Sequence, residues 1–235
     1  MVTPRFVIDL ACAAMARSPL FHGIDEDELT RIAQTMNRRR FRRDEVIFHE
    51  GDPGDSLHVV VEGRVKITRE SAEGEEAIVA ILSPGDSFGE IVLLDGAPRS
   101  ASATAMEATE TMTMPRSTFV ELVEGGSPFR AQLLTGLAQR VRRLTNQLAE
   151  VHFLDLAGRL ALQLTRLAAE SAPGQTTDVQ LPSNLTQSDL AAMVGGTRQR
   201  VNQIIGDFSD EGLVIHEGGH LVIPDVERLR QRASW

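Results

Sequence analysis

A chain of 235 residues is long enough for two domains that each bury a core. With 42% hydrophobic and 24% charged residues, it has the composition of a folded globular protein rather than a disordered one. A formal net charge of −9 argues against indiscriminate adhesion to nucleic acid or anionic lipid, so any DNA contact must come from local patches.

The single cysteine, Cys12, cannot form an internal disulfide, and no Cys-x-x-Cys pair or clustered ligand set offers a zinc or iron–sulfur centre. A reducing cytoplasm and no metal are therefore expected. The mild apolar run Val7 to Met15 is interrupted by Asp9 and no long hydrophobic segment follows, so neither a signal peptide nor a membrane span is expected. Asp25 to Met36 reads as a short amphipathic helix with Leu29, Ile32 and Ala33 on one face. Next comes Arg38-Arg39-Arg40-Phe41-Arg42-Arg43, five arginines in six residues. Such a run invites a nucleic-acid reading, but it enters a strand, and the favoured reading is a solvated strand edge where cations block unwanted pairing.

From about Glu45 to Met114 short β-branched runs alternate with turn signals: Val46 to Phe48, Leu57 to Val61, Val65 to Ile67, Ala77 to Leu82 and Ala101 to Ala105. Gly51-Asp52-Pro53-Gly54-Asp55, Glu62-Gly63, Ser83-Pro84-Gly85-Asp86 and Asp95-Gly96-Ala97-Pro98 fill the gaps, and the whole predicts an antiparallel sandwich or barrel. Within it, Phe88-Gly89-Glu90 is followed by Arg99-Ser100-Ala101. A ribose 2′-hydroxyl wants a carboxylate acceptor, which Glu90 supplies. A phosphodiester among strands needs a cation with a fixed donor fork plus hydroxyl and backbone N–H donors, which Arg99, Ser100 and the Gly89 region supply. The cassette, taken as Gly89, Glu90, Ile91, Arg99, Ser100 and Ala101, suits a small anionic sugar-phosphate. The competing reading is a surface loop in which Glu90 and Arg99 merely pair with each other.

From Pro128 to about Val151 the period changes. Leu134, Val141 and Leu148 fall at heptad a positions and Leu137, Leu144 and Val151 at d, a seam that wants a partner helix. With Arg140, Arg142, Arg143, Thr145 and Gln147 on the other faces, a parallel dimer is expected rather than burial within one chain. Asp155 is placed to cap a helix from Leu156 to Ala169 and is a candidate hinge; Ser171 to Gly174 ends that helix, and a short Val179-Gln180-Leu181 segment follows. Thr186-Gln187-Ser188-Asp189 opens a short helix as a capping box, Gly195-Gly196 turns the chain, and Thr197 caps a second helix. There Val201, Ile204, Ile205 and Phe208 face inward and Arg198, Gln199, Arg200, Asn202 and Gln203 outward. This describes a helix-turn-helix whose second helix enters the major groove, Arg suiting guanine, Gln or Asn suiting adenine, and Thr197 or the helix-start N–H groups a phosphate. Leu213 to Ile215 and Leu221 to Ile223 flank Glu217-Gly218-Gly219 as a wing hairpin that carries His216 and His220 as surface residues. Residues 157 to 235 hold seven arginines against nine carboxylates, so non-specific affinity should be weak. The competing reading is an αα-hairpin that only packs.

A β-rich domain with Phe88-Gly89-Glu90 and Pro98-Arg99-Ser100-Ala101, a long helix and a winged helix-turn-helix together resemble the Crp/Fnr family of bacterial transcription regulators, from roughly Leu20 to Ile223. The resemblance implies an α+β fold: a cyclic-nucleotide-binding, jelly-roll-like β-roll with N-terminal helices over residues 1–127, a dimerisation helix over 128–154, and a DNA-binding winged helix-turn-helix over 155–235. It further implies cyclic AMP or cyclic GMP as allosteric effector, a homodimer on a palindromic double-stranded operator, RNA polymerase as a partner, and no enzymatic role. In the cyclic-nucleotide-responsive members the long helix adds an Arg and two adjacent polar residues. Here these positions correspond to Arg140, Leu144 and Thr145. Leu144 departs from that pattern, which leaves the choice of purine open because selectivity rests on hydrogen bonds to the base edge. Two rivals within the family are a redox or gas sensor, for which His49, His58 and His152 are unpersuasive haem ligands, and a ligand-independent regulator. An enzyme would need a nucleophile–base pair or metal cluster that the sequence lacks.

Members reading the best-known half-site carry Arg-Glu-Thr-Val-x-x-Arg, whereas this chain has Arg198-Gln199-Arg200-Val201-Asn202-Gln203. The expected operator is a palindrome with an altered half-site. A binding-site selection should return that altered sequence, and recovery of the usual family consensus would contradict it.

Overall fold

The computed structural model describes residues 4–182 and 185–233. The chain divides into two compact units, one built on residues up to 142 and the other on residues from 143, with 76–78 grouped with the second.

In the first unit, the apolar run near the N-terminus is part of a helix, α1 (Arg5–Arg17), with Ala11, Ala14 and Met15 fully buried. Helix α2 (Glu26–Thr35) begins where the Asp25 carboxylate accepts the Glu28 N–H at 2.8 Å. The strands are β1 (Asn37–Phe41), β2 (Val46–Phe48), β3 (Ser56–Glu62), β4 (Val65–Glu70), β5 (Glu76–Leu82), β6 (Ser87–Phe88), β7 (Ser102–Ala105) and β8 (Thr109–Pro115), with the short helix α3 (Ile91–Asp95) between β6 and β7. They form two four-stranded sheets, ordered β1-β8-β3-β6 and β2-β7-β4-β5. The anticipated strand over Ala101 to Ala105 starts one residue later, which leaves Ala101 in the loop. The basic run enters strand β1 at a sheet edge with Arg38 to Phe41, while Arg42 and Arg43 follow it, and its cations are not merely solvated: Arg38 and Arg40 both bond the buried carboxylate of Glu110 on β8. Burial works to raise the Glu110 pKa, but these two guanidinium groups prevail and hold it below the usual carboxylate range.

Helices α4 (Arg116–Glu124) and α5 (Pro128–Phe153) follow. Alternation along β3 separates two cores. Leu57, Val59 and Val61 pack with Met112 and Met114 of β8 against α1, α2, Phe119 of α4, and Phe129 and Leu133 of α5. Val60 packs between the sheets with Val65, Leu82, Phe88 and Ala103. Beyond its first turns, α5 exposes Leu134 (61%), Val141, Leu144, Leu148 (71%) and Val151. Leu137, expected in the same seam, instead packs partly against the first core.

In the second unit the Asp155 carboxylate accepts the Gly158 N–H at 2.7 Å and starts α6 (Leu156–Ser171), two residues longer than expected. Strand β9 (Thr177–Gln180), helices α7 (Gln187–Val194) and α8 (Arg198–Asp210), strands β10 (Ile215–Glu217) and β11 (His220–Asp225), and α9 (Val226–Gln231) complete it. The capping box forms in both directions between Thr186 and Asp189, and Gly195 ends α7 with φ of 68°. Glu217 pairs with His220 across Gly218 and Gly219, whose φ angles of 58° and 82° are those a two-residue type I′ hairpin demands. Leu160, Leu164, Leu190, Val201, Ile205, Phe208 and Ile223 share the core.

Several polar side chains are buried in the strands of the first unit, among them Thr68, Thr111 and His58. His58 is 6% exposed, stacks on Phe88 at 4.9 Å between ring centroids, and places Nδ1 3.2 Å from the Thr111 hydroxyl. Burial, and then the nearby Arg99 and Arg39 cations, push its pKa down to about 3. The folded value lies below the unfolded one, so the unfolded chain takes up the proton first. The stability contribution is complete above the ordinary histidine range and is lost as pH falls toward 3. In denaturant titrations at pH 7 and pH 4, the wild type should lose about 3 kcal/mol more than His58→Phe over that interval. Equal losses would contradict a neutral, buried imidazole.

Candidate functional site

The chain enters the site from β6. Gly89 has φ of 85°, and a Cβ there would lie 2.5 Å from Arg99 Nη1 and 3.2 Å from the Ser56 carbonyl, so only glycine fits. Glu90 follows, 5% exposed, immediately before α3, whose first residue is the half-buried Ile91. Arg99 is 6% exposed. Its Nη1 donates to the Gly89 carbonyl at 2.8 Å, its Nη2 donates to the Ser56 carbonyl at 3.0 Å, and its Cζ sits 4.2 Å from the Phe48 ring centroid. The main chain is pinned too: Arg99 N–H donates to the Asp52 carbonyl and the Arg99 carbonyl accepts from Gly51 N–H, both at 2.8 Å. Burial lowers the guanidinium pKa against the opposing pull of Asp55, Glu90 and Asp52. Arg99 remains a cation, because guanidinium groups are not deprotonated in proteins.

The reading in which Glu90 and Arg99 neutralise each other fails on this geometry. Glu90 Oε1 accepts from Nη1 of Arg140 on α5, not from Arg99. Among the described residues, Glu90 Oε2 and Arg99 Nε are buried without a hydrogen-bond partner. A buried polar atom left unpaired costs roughly 1–3 kcal/mol, more for a charged group. Here one such atom lies on each charge, and both belong to the groups whose chemistry suits a sugar hydroxyl and a phosphate.

The structure thus brings Gly89, Glu90, Arg99 and Arg140 together. Ser100 is exposed and Ala101 half-buried, directly after Arg99 in the chain. Leu144 and Thr145 lie in the second unit, both exposed on α5. Sequence reasoning missed Phe48, Gly54, Ser56 and His58. The single sequence signal was Gly54 in a turn-rich loop: a Cβ there would meet Arg99 Nε at 2.5 Å and Val92 Cγ1 at 2.8 Å. A cleft of about 650 Å³ borders Phe48, Ser56, His58 and Arg99.

In the second unit Thr197 caps α8 by accepting the Arg200 N–H at 3.3 Å. Val201, Ile204, Ile205 and Phe208 are buried, while Arg198, Gln199, Arg200, Asn202 and Gln203 are exposed, as the periodicity predicts. Gln187 Nε2 donates to Asn202 Oδ1 at 2.8 Å and Arg200 Nη1 donates to Gln203 Oε1 at 2.7 Å. Two further arginines, not singled out in the sequence, strap this unit. Arg159 donates from Nε to the Val194 carbonyl at 2.9 Å and from Nη1 to the Leu154 carbonyl at 3.0 Å, and Arg166 pairs with Glu150. The last turn of α5 is therefore tied to α6 and to the end of α7. Asp155, anticipated as a hinge, is the cap within this strapped segment. Among the described residues no cluster of side chains could hold a metal ion, and no helix is long and apolar enough to cross a membrane.

The family model described as a cyclic nucleotide-binding domain matches residues 38–125, and that described as a Crp-like helix-turn-helix domain matches residues 158–232. The CRP-like cAMP-activated global transcriptional regulator of Mycobacterium tuberculosis is 34% identical over 219 residues, covering 93% of this chain and 98% of that protein. The cyclic AMP receptor protein of Thermus thermophilus is 32% identical over the same shares. The crystal structure of the Thermus thermophilus catabolite activator protein superposes with a TM-score of 0.53 at 31% identity over 92% of this chain and 98% of that one. FixK2 from Bradyrhizobium japonicum gives 0.75 at 20% identity over 85% and 98%, a likeness of fold. With both domains matched in chain order and relatives above 30% identity along nearly their whole length, the chain belongs to the Crp/Fnr family of cyclic-nucleotide-binding transcription regulators.

Proposed function

We propose that this protein is a homodimeric transcription factor that binds a palindromic promoter sequence when cyclic AMP, or cyclic GMP, occupies the β-roll of each subunit. The observation that carries the reading is the pair of buried, oppositely charged groups at Glu90 and Arg99, each with an unsatisfied buried atom. Arg99 offers a phosphodiester a cation held by carbonyl dipoles rather than by a carboxylate. Glu90 keeps one oxygen for a ribose hydroxyl. The names of the Mycobacterium and Thermus relatives put cyclic AMP first.

The boundaries we adopt are 1–127 for the nucleotide-binding domain, 128–154 for the dimerisation helix and 155–235 for the DNA-binding domain. The stripe Leu134, Val141, Leu144, Leu148 and Val151 supports dimerisation, since five large apolar side chains at heptad spacing stand exposed on one helix. Nucleotide binding tightens this seam, and the straps through Arg159 and Arg166 carry the change to α7 and α8. Arg140, Leu144 and Thr145 are the coupling positions, with Arg140 already on Glu90. A ligand shifts the equilibrium only by preferring the DNA-competent state. On DNA, Arg198, Gln199, Arg200, Asn202 and Gln203 read base edges and Thr197 with its helix start holds a phosphate. The protein works in the cytoplasm with RNA polymerase and catalyses no reaction.

One observation favours a second reading, a regulator that needs no nucleotide or answers another effector: Arg140 occupies an oxygen of Glu90 within the chain. Calorimetry with cyclic AMP and cyclic GMP, with and without operator DNA, separates the two. The proposal expects DNA and nucleotide to tighten each other by the same factor, and Arg99→Ala to weaken nucleotide binding by about 100-fold in a protein whose circular dichroism is unchanged. Unchanged affinity in Arg99→Ala, or no nucleotide binding by the wild type, would overturn it.

A further inference from the structure

We infer that Phe48 is a positioning residue for the phosphate-binding arm: its ring fixes the plane of the Arg99 guanidinium, so that an incoming phosphodiester meets a pre-set donor fork. The inference deepens the cyclic-nucleotide reading and rests on it.

Arg99 is held differently from the arginines whose forks lie on carboxylates, and like Arg159 it is anchored on carbonyl oxygens. The Arg38 fork lies on the carboxylate of Glu110, and the Arg166 fork on that of Glu150, so anions set those planes. Arg99 has two carbonyl oxygens, from Gly89 and Ser56, and the face of Phe48 at 4.2 Å. Dipoles and a ring quadrupole orient a cation without cancelling its charge, and the ring does so without consuming an N–H. The charge and the Nε donor are thereby kept for a ligand.

Two features aim and brace the ring. Between Val46 and Phe48 the pairing of β2 with β7 slips, Val46 facing Thr104 and Phe48 facing Ala103. Such a bulge re-aims the side chain that follows it. Phe48 then rests against Phe88, 5.8 Å between centroids, and His58 at 6.0 Å, while His58 stacks on Phe88. Gly54 closes on the same guanidinium, where a Cβ would lie 2.6 Å from Cζ. Phe48 packs against aliphatic Val60, Val65 and Leu82 on one hand and against the rings of Phe88 and His58 on the other. Of these contacts, the one with Arg99 is the one in which the ring face meets a cation.

The test is a double-mutant cycle in the full-length protein, read by calorimetry with cyclic AMP. Phe48→Leu should weaken binding by about tenfold, whereas Phe48→Tyr should bind like the wild type, its added hydroxyl accommodated by the adjoining cleft. In an Arg99→Gln background, Phe48→Leu should have no further effect. Nuclear magnetic resonance of the Arg99 Nε–H supplies a ligand-free readout: Phe48→Leu should remove its ring-current shift and speed rotation about the Nε–Cζ bond. Losses that add in the double mutant, or an Arg99 signal unmoved by Phe48→Leu, would overturn the inference while leaving nucleotide binding standing. A wild type that binds neither nucleotide would overturn both.

Discussion

A guanidinium taken almost completely out of water, with no carboxylate bonded to it among the described residues, is the constraint around which the first unit is arranged. Removing a charge from water costs several kcal/mol, and proteins ordinarily recover this with a counter-ion. At Arg99 the recovery is partial: two carbonyl oxygens and an aromatic face, with acidic groups acting only at a distance. Glycine at 54 and 89 is the steric condition for that arrangement, because a Cβ at either would strike the guanidinium. An incompletely compensated buried cation is a group whose remaining donor an anion can satisfy. The same site keeps an incompletely compensated buried carboxylate, Glu90, whose partner among the described residues, Arg140, comes from the long helix.

That partner gives the site its bearing on the rest of the chain. Arg140 lies on the helix that, further along, exposes its apolar stripe and ends in a segment strapped by Arg159 and Arg166 to α6 and the end of α7. The helix that supplies the partner of Glu90 thus also supplies the last turn that is tied to α6 and to the end of α7. In the second unit, the exposed face of α8 carries polar groups already bonded within the chain, Asn202 to Gln187 and Gln203 to Arg200, so their geometry is partly set by the fold.

Much of this was legible in the sequence where one segment carries its own signature. Thr186 and Asp189 announce a capping box, Gly218 and Gly219 a hairpin, and the 3.6-residue spacing of Val201 to Phe208 a buried helix face. The cassette was legible because Glu90 and Arg99 are close in the chain and chemically unusual together. Ser56 was not, since it contributes a carbonyl oxygen that any residue has. Phe48 and His58 reach the site from other strands, and their alternation reads simply as strand. Helix α1 was obscured by a short apolar run interrupted by Asp9, and β8 by alternating Thr and Met that match no strong strand pattern. Leu137 shows the limit of a heptad: its position fits a dimer seam, yet the first turns of the helix are spent on the chain's own core.

The most direct measurement is a crystal structure of the protein grown with cyclic AMP. The account requires the cyclic phosphate against the Arg99 guanidinium and the ribose hydroxyl on a Glu90 carboxylate oxygen, within the β-roll of each subunit. A β-roll left empty at saturating nucleotide, or nucleotide bound elsewhere with both side chains keeping only their partners within the chain, would contradict it.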